Sequence, residues 1–209
     1  MDVNWFMDSK KPDLVEEPNA SYGYYSYADY LTWPMDLVAE LIQGKMFKKA
    51  AAAAPKRIHQ KVASKLNFKL YQFLEGKRCQ VYPAPFDVRF PIDSKEDHEI
   101  FDVVQPDICV VCDPSKLDDR GCIGAPDLIV EILSPGSSKL ELKHKYELYE
   151  SRGVREYWII HPEHQNLLIY TWVNGSYIPS YLFTTGDVIE SEVVKGFKLD
   201  LEEFFSDIQ

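Results

Sequence analysis

Residues 125–145 read A-P-D-L-I-V-E-I-L-S-P-G-S-S-K-L-E-L-K-H-K, and this stretch decides the fold. Its apolar run from Leu128 to Leu133 is bounded by Pro126 and by Pro135-Gly136, which predicts a short strand buried on both faces. Glu131 stands in the middle of that strand. Burying an ionised carboxylate is costly unless something compensates the charge. A partner of opposite charge, a shared proton or a metal ion would each serve, and the strand alone does not choose among them.

Short apolar segments and two helical patterns surround this strand. One helix is predicted from about Lys56 to Leu74, and a second one begins at Ser137 or Ser138 and ends near Gly153. Residues 37–51 resemble a hairpin that turns at Gln43-Gly44. The apolar stripe of the first helix is Ile58, Val62, Leu66, Leu70 and Phe73, and that of the second is Leu142, Tyr146 and Tyr149. Strands flanked by two helices predict a mixed α/β fold.

Composition and length set the broad class of the protein. The 209 residues are 45% hydrophobic and 27% charged, which is ordinary for a soluble globular protein. We expect a loose arm over residues 1–20 and a single domain over residues 21–209. No apolar run approaches the roughly 20 residues of a membrane span, and the start lacks a signal-peptide pattern. We therefore expect a cytoplasmic protein without a membrane segment.

The four cysteines should then be reduced. Cys109 and Cys112 form a C-x-x-C, but both fall in a predicted strand, where their odd spacing puts them on opposite faces. We interpret them as small buried hydrophobic residues rather than as a metal or redox motif.

Charge is distributed unevenly along the chain. The net charge is −10, yet residues 44–78 contain ten of the 23 basic residues and a single acid, Glu75. Four of these bases form a stripe along the first predicted helix: Arg57, Lys61, Lys65 and Lys69. The stripe is either a binding face for a polyanion such as nucleic acid or a solvated helix face beside an acidic surface.

Strand geometry separates the carboxylates of two Pro-Asp pairs. Asp127 and Glu131 lie four residues apart on one strand, about 13 Å, so they cannot share an ion. Asp107 opens a different strand, and it meets Glu131 if the two strands pair in the right register. Two such carboxylates share a proton or bind a cation, and oxygen ligands favour Mg²⁺ or Mn²⁺, with Glu40 as a third acid. Alternatively, Asp107 caps a strand end and Glu131 pairs with a lysine or arginine.

These segments resemble the PD-(D/E)XK nuclease superfamily, and within it a family of restriction-endonuclease-like proteins. The quoted strings are V-Q-P-D-I (104–108), G-A-P-D-L-I-V-E-I-L-S-P (124–135), K-Y-E-L-Y (145–149) and V-R-E-Y-W-I-I-H-P (154–162). E-L-I-Q-G-K (40–45), His59 and F-D-V-R (86–89) are similar as well. The resemblance covers roughly residues 26–205, which is the whole predicted domain.

The resemblance implies a restriction-endonuclease-like core: a central mixed sheet flanked by helices, with extra hairpins. It implies an endonuclease that uses Mg²⁺ or Mn²⁺ to hydrolyse phosphodiester bonds, with Glu40, Asp107 and Glu131 as metal-binding acids. Leu133 stands where the superfamily has its lysine, and Lys145 matches the family's helix lysine, so it can replace the missing cation. We expect DNA as the substrate, contacted by His59 and the basic stripe, and a homodimer; the alternative is a non-cleaving nucleic-acid-binding module.

Overall fold

The computed structural model describes residues 23–34, 39–48, 57–134 and 139–208. Its helices are α1 (Tyr27–Tyr30), α2 (Arg57–Leu74), α3 (Lys139–Ser151) and α4 (Leu201–Phe205). Its strands are β1 (Ala39–Ile42), β2 (Lys45–Lys48), β3 (Gln80–Pro83), β4 (Val88–Arg89), β5 (Val103–Val104), β6 (Ile108–Val111), β7 (Leu117–Asp118), β8 (Gly121–Ile123), β9 (Leu128–Ile132), β10 (Glu156–His161), β11 (Asn166–Val173), β12 (Ser176–Pro179), β13 (Phe183–Thr184), β14 (Val188–Glu190) and β15 (Lys198–Asp200).

The strand that carries Glu131 lies inside the larger of the sheets. That sheet has the order β12-β11-β10-β9-β6-β3, and β13 pairs with β11. Strand β9 runs parallel to β10 and antiparallel to β6, and all five of its residues are buried. The predicted mixed α/β fold and the predicted doubly buried strand are both confirmed.

Two hydrophobic cores lie on the two faces of this sheet. Helix α2 packs on one face, where Val62 and Leu66 share a cluster with Val130. Helix α3 packs on the other face, where Tyr149 shares a cluster with Ile129. Side chains of a strand alternate between faces, so β9 contributes to both cores and Glu131, on the face of Ile129, points toward α3.

A second sheet supplies Glu40. Its order is β2-β1-β5-β4-β8-β7, and β1 and β2 form the predicted hairpin. Gln43 and Gly44 turn it with positive φ values of 53° and 71°, as a type I′ turn requires. All four residues of β1 are buried, so Glu40 is brought into the interior between the two sheets.

Both long helices depart from the predicted stripes in an informative way. The buried residues of α2 are His59, Val62, Leu66, Leu70 and Leu74. Over residues 141–151 of α3 the buried residues are Lys145, Leu148 and Tyr149, whereas Leu142 and Tyr146 are only partly buried. In each helix a polar residue, His59 or Lys145, has moved into the buried face because it meets a carboxylate there.

The expectation that all four cysteines are reduced is wrong. Cys79 and Cys112 form a disulfide, while Cys109 and Cys122 are free and buried. The β3–β6 register pairs Gln80 with Val111, so its next step places the two bonded cysteines opposite each other. The sequence offered no sign of this pairing because it depends on a register between strands that are far apart in the chain.

Two further expectations concern the limits of the chain. The predicted arm, residues 1–20, lies outside the described residues, as does the predicted start of the second helix at Ser137 or Ser138. Within the described ranges, no helix combines the length and the apolar character that crossing a bilayer would need.

Candidate active site

A buried ion pair joins β9 to α3. The Lys145 ammonium lies 2.9 Å from Oε1 of Glu131, and the Tyr149 hydroxyl donates a hydrogen bond of 2.7 Å to the same oxygen. Lys145 is only 2% exposed and Glu131 6%. Of the three possible compensations for Glu131, the structure thus shows a partner of opposite charge, and that partner is the helix lysine singled out in the sequence.

Glu40 approaches the same lysine from the second sheet. Its Oε1 atom lies 3.1 Å from the Lys145 ammonium and accepts a 2.9 Å hydrogen bond from the backbone N–H of Gln105. Glu141, one turn before Lys145 on α3, contributes a third carboxylate oxygen at 4.0 Å. One ammonium group therefore faces three carboxylates, which leaves this cluster with an excess of negative charge.

These charges hold Lys145 in its ionised form. Burial alone would lower the pKa of the lysine, but Glu131 and Glu40 outweigh burial and raise that pKa well above its ordinary value. Burial and the charge of Glu131 likewise raise the pKa of the Tyr149 hydroxyl. At neutral pH both groups are therefore protonated donors to Glu131.

Asp107 lies at the start of β6 and contacts the helix on the other face of the sheet. Its Oδ2 atom lies 3.2 Å from Nε2 of His59 and accepts a 2.7 Å hydrogen bond from the backbone N–H of Ile132. Burial disfavours ionisation of this carboxyl group, but His59, the Ile132 N–H and the charge of Lys145 outweigh burial and lower its pKa. Asp107 is thus an ionised carboxylate just before the first residue of β6.

The strand register relates Asp107 to Glu131. Ile108 pairs with Val130 across β6 and β9, so the next step of the antiparallel register puts Asp107 opposite Glu131, as the metal hypothesis required. The alternative set of contacts is also present, since Asp107 accepts from a strand-end N–H and Glu131 pairs with a lysine. Among the described residues, no three histidine, cysteine or acidic side chains are grouped closely enough to hold an ion by themselves.

The contribution of Asp107 to stability should depend on pH in a defined direction. Because folding lowers its pKa, its contribution is present above the unfolded pKa of about 3.9 and is lost as the pH falls through the folded value. At pH 7, Asp107→Asn should reduce the free energy of unfolding by about 1–3 kcal/mol, the cost of weakening bonds to a buried charge. Denaturant titrations from pH 7 to pH 2.5 would measure this; a difference from wild type that stays constant over that range would contradict it.

Comparison with known proteins identifies the family. The family model Uma2, described as "Putative restriction endonuclease", matches residues 27–202. The chain belongs to the Uma2 family. An uncharacterized protein of the cyanobacterium Synechocystis is 24% identical over 138 residues, which span 65% of this chain and 67% of that protein.

A solved structure supports the same fold. The crystal structure of a putative nuclease from Anabaena variabilis superposes with a TM-score of 0.69 at 20% identity, covering 88% of this chain and 99% of the other. This Uma2 chain therefore shares the fold of that structure over most of its length.

The basic stripe of this Uma2 protein lies away from the carboxylates. Lys61 and Lys65 pair with Asp207 at 3.1 and 2.6 Å, and Lys69 pairs with Glu203 at 2.7 Å. Lys65 lies about 120° around the helix axis from His59, so the stripe faces α4 whereas His59 faces Asp107. That Arg57, Lys61, Lys65 and Lys69 contact nucleic acid stays a prediction, and three of these bases already have acidic partners.

A charge-neutralising variant tests the stripe directly. If the lysines contact phosphates, changing Lys61, Lys65 and Lys69 together to glutamine should weaken duplex binding and reduce the salt slope by up to about 0.9 per contact. Anisotropy titrations at several salt concentrations would measure both quantities. The matched control changes Lys143, Lys195 and Lys198, which pair with glutamates on exposed surfaces. Equal slopes in the two triple variants would exclude the stripe as a binding face.

Three residues of this site were not predicted from the sequence as functional. Tyr149 was expected only to pack, and Gln105 and Glu141 were not singled out. The available signal was spacing, since Glu141, Lys145 and Tyr149 lie four residues apart and so share one face of α3. Nothing in the sequence marked the backbone of Gln105, because its hydrogen bond to Glu40 spans 65 positions.

Proposed function

We propose that this protein is a metal-dependent endonuclease that hydrolyses phosphodiester bonds of DNA. In this proposal Asp107 and Glu131 bind Mg²⁺ or Mn²⁺, Glu40 assists them, and Lys145 is the catalytic cation. The observation that supports it most is the Lys145 ammonium, 2.9 Å from Glu131. This position compensates for Leu133, which occupies the superfamily's lysine position in the strand. Membership of a restriction-endonuclease family supports the reaction class.

The donor atoms fit a hard divalent cation. The side chains that converge here offer carboxylate oxygens, which are the ligands of Mg²⁺ and Mn²⁺. Magnesium commonly keeps several waters and is bound through only one or two carboxylates and the substrate phosphate. Two carboxylates on neighbouring strands, Asp107 and Glu131, therefore supply the number of protein ligands that magnesium needs. The excess of negative charge around Lys145 also favours a cation.

Each residue of the proposed site then has a defined role. A bound divalent ion lowers the pKa of its water and polarises the scissile phosphate. Lys145 keeps its proton because of its raised pKa, so it acts as a fixed positive charge beside the phosphate rather than as a base. Tyr149 and Lys145 orient Glu131 by donating to Oε1, and His59 orients Asp107 through Nε2.

A second candidate function is a nuclease-like module that binds nucleic acid without cutting it. One observation favours it: Glu131 is already paired with the Lys145 ammonium and the Tyr149 hydroxyl at Oε1, so its burial does not demand a metal. The expected dimer and cytoplasmic location stay predictions in either case.

Plasmid nicking separates the two functions. We expect supercoiled DNA to be nicked in Mg²⁺ or Mn²⁺ but not in EDTA, and the melting temperature of the protein to rise with the same ions. Binding of DNA without nicking under any of these metals would favour the non-cleaving module. If the metals cause no thermal shift and no nicking is seen, the metal-dependent endonuclease is rejected.

A further inference from the structure

Glu40 is held from two directions, and one of them leads away from the ion pair. On one side Oε1 lies 3.1 Å from the Lys145 ammonium. On the other side the same oxygen accepts a hydrogen bond of 2.9 Å from the backbone N–H of Gln105. Gln105 follows β5 and stands two residues before Asp107. The place of this single peptide unit therefore affects two of the three proposed metal-binding acids.

The side chain of Gln105 fixes that peptide unit. Its amide nitrogen donates a hydrogen bond of 2.8 Å to Oδ1 of Asp87 and another of 3.1 Å to the Tyr30 hydroxyl. Both hydrogens of the amide are thus used, and the two acceptors belong to different parts of the chain, α1 and the start of β4. A glutamine held at both ends has little freedom to move its backbone.

Asp87 is in turn held by the aromatic residues of α1. The Tyr27 hydroxyl donates a hydrogen bond of 3.0 Å to Oδ2 of Asp87, and the Tyr30 hydroxyl donates one of 3.3 Å to Oδ1. Burial and the charge of Asp87 raise the pKa of both tyrosines, which keeps them protonated as donors. Helix α1 itself begins with a capping box in which Ser26 and Asp29 satisfy each other's backbone N–H groups.

The backbone of Asp87 is equally constrained. Its carbonyl oxygen accepts 2.8 Å from the N–H of Cys122. Gly121 passes against the same carbonyl with φ of +129°, and a Cβ at that position would overlap the Asp87 oxygen. Asp87 therefore starts a rigid chain of contacts that runs through Gln105 to Glu40.

We propose that Asp87 and the Gln105 side chain are positioning residues for Glu40 in the proposed nuclease site. They hold the Gln105 N–H in line with the Glu40 carboxylate, so that Glu40 keeps its place when the charge beside Lys145 changes. The role in catalysis rests on the proposed function; the positioning itself does not, because it concerns the metal-free protein. Neither side chain contacts the Lys145 ammonium; Gln105 reaches Glu40 only through its backbone N–H.

The first measurement needs no activity. Gln105→Met keeps the length of the side chain and its backbone N–H but removes both amide hydrogen bonds. By NMR of the metal-free protein, hydrogen exchange at the position-105 amide should speed up about tenfold, the scale of one lost hydrogen bond. Glu40→Gln and Asp87→Asn should speed up the same amide, while the amides of Val103 and Val104 keep the wild-type rate. Unchanged exchange at position 105 in Gln105→Met and in Asp87→Asn would overturn the proposal.

The second measurement is Mg²⁺-dependent nicking by the same variants. Gln105→Met and Asp87→Asn should each lower kcat about tenfold, in proportion to one lost hydrogen bond, with KM for DNA within about twofold of wild type. Gln80→Met is the matched control, since it removes a hydrogen bond with Tyr82 on an exposed part of β3. It should change neither kcat nor the exchange rate of the position-105 amide. If wild type fails to nick DNA, the proposed function fails and the exchange rates still decide the positioning. Unaltered kcat despite faster exchange would overturn the catalytic part.

Discussion

Replacing Lys145 with methionine should lower the free energy of unfolding by about 3–5 kcal/mol at pH 7, the usual cost of removing one partner from a buried ion pair. Lys145 is fully buried between Glu131 and Glu40, and both carboxylates have 8% or less of their side-chain surface exposed. Methionine keeps most of the aliphatic stem, so the loss reports the missing charge rather than a cavity. Without the ammonium, two buried carboxylates would lose the positive charge that both of them contact.

Chemical denaturation of the metal-free protein measures this loss. Lys143→Met is the matched control, because Lys143 lies two residues away on α3 but has a side chain that is 68% exposed. Its ion pair with Glu147 is long, at 3.7 Å, and lies on the surface. Such surface pairs contribute about 0–1 kcal/mol. Combining Lys145→Met with Glu40→Gln should recover part of the lost stability, since one of the two buried negative charges is then removed. A loss below about 1 kcal/mol would mean that the ion pair contributes little.

The pH dependence of the same variant has a definite sign. Folding raises the pKa of Lys145, so its contribution is fully present below the unfolded pKa of about 10.4 and is lost as the pH rises through the folded value. The difference in free energy of unfolding between wild type and Lys145→Met should therefore stay level from pH 6 to pH 9.

The turnover of Lys145→Met in Mg²⁺-dependent nicking should fall by about two orders of magnitude or more, which is the scale for losing one electrostatic stabiliser.

Local sequence patterns predicted the parts of the site that depend on neighbours in the chain. The apolar run from Leu128 to Leu133 predicted the buried strand, and Glu131 within it predicted a compensating partner. Asp107 could be placed opposite Glu131 only on the condition that the two strands pair in the right register, and the register itself comes from the structure. Lys145 could be selected because Leu133 left the strand without a cation and the next helix packs on the same sheet.

Contacts between distant segments could not be predicted in this way. The expected position of Lys145 was the edge of the α3 stripe, yet two carboxylates from separate sheets draw it into the interior. The basic stripe was assigned from its own charges, and its acidic partners, Glu203 on α4 and Asp207 just after that helix, lie more than 130 positions further along the chain. The Cys79–Cys112 disulfide and the hold of Gln105 on Glu40 likewise depend on tertiary structure rather than on a local pattern.

The second large effect concerns the proposed metal ligands. Asp107→Asn and Glu131→Gln should each reduce Mg²⁺-dependent nicking by at least about a thousandfold, because a bound metal contributes several kcal/mol of transition-state stabilisation. Stability should change less than in Lys145→Met. In Glu131→Gln the lysine keeps Glu40 at 3.1 Å, and in Asp107→Asn the side-chain carbonyl can still accept from Ile132.

The chain offers a matched control for each substitution. Asp127 belongs to the second Pro-Asp pair and is buried, but it accepts from Cys112 N–H and pairs with Arg155. Glu156 is a fully buried glutamate on the neighbouring strand, held by Trp158 and Ser191. Asp127→Asn and Glu156→Gln should therefore lower the melting temperature and leave both the nicking rate of the folded protein and its thermal shift with Mg²⁺ intact. If all four variants lose activity only in proportion to the fraction unfolded, Asp107 and Glu131 are structural acids; selective loss in the first pair assigns them to the metal.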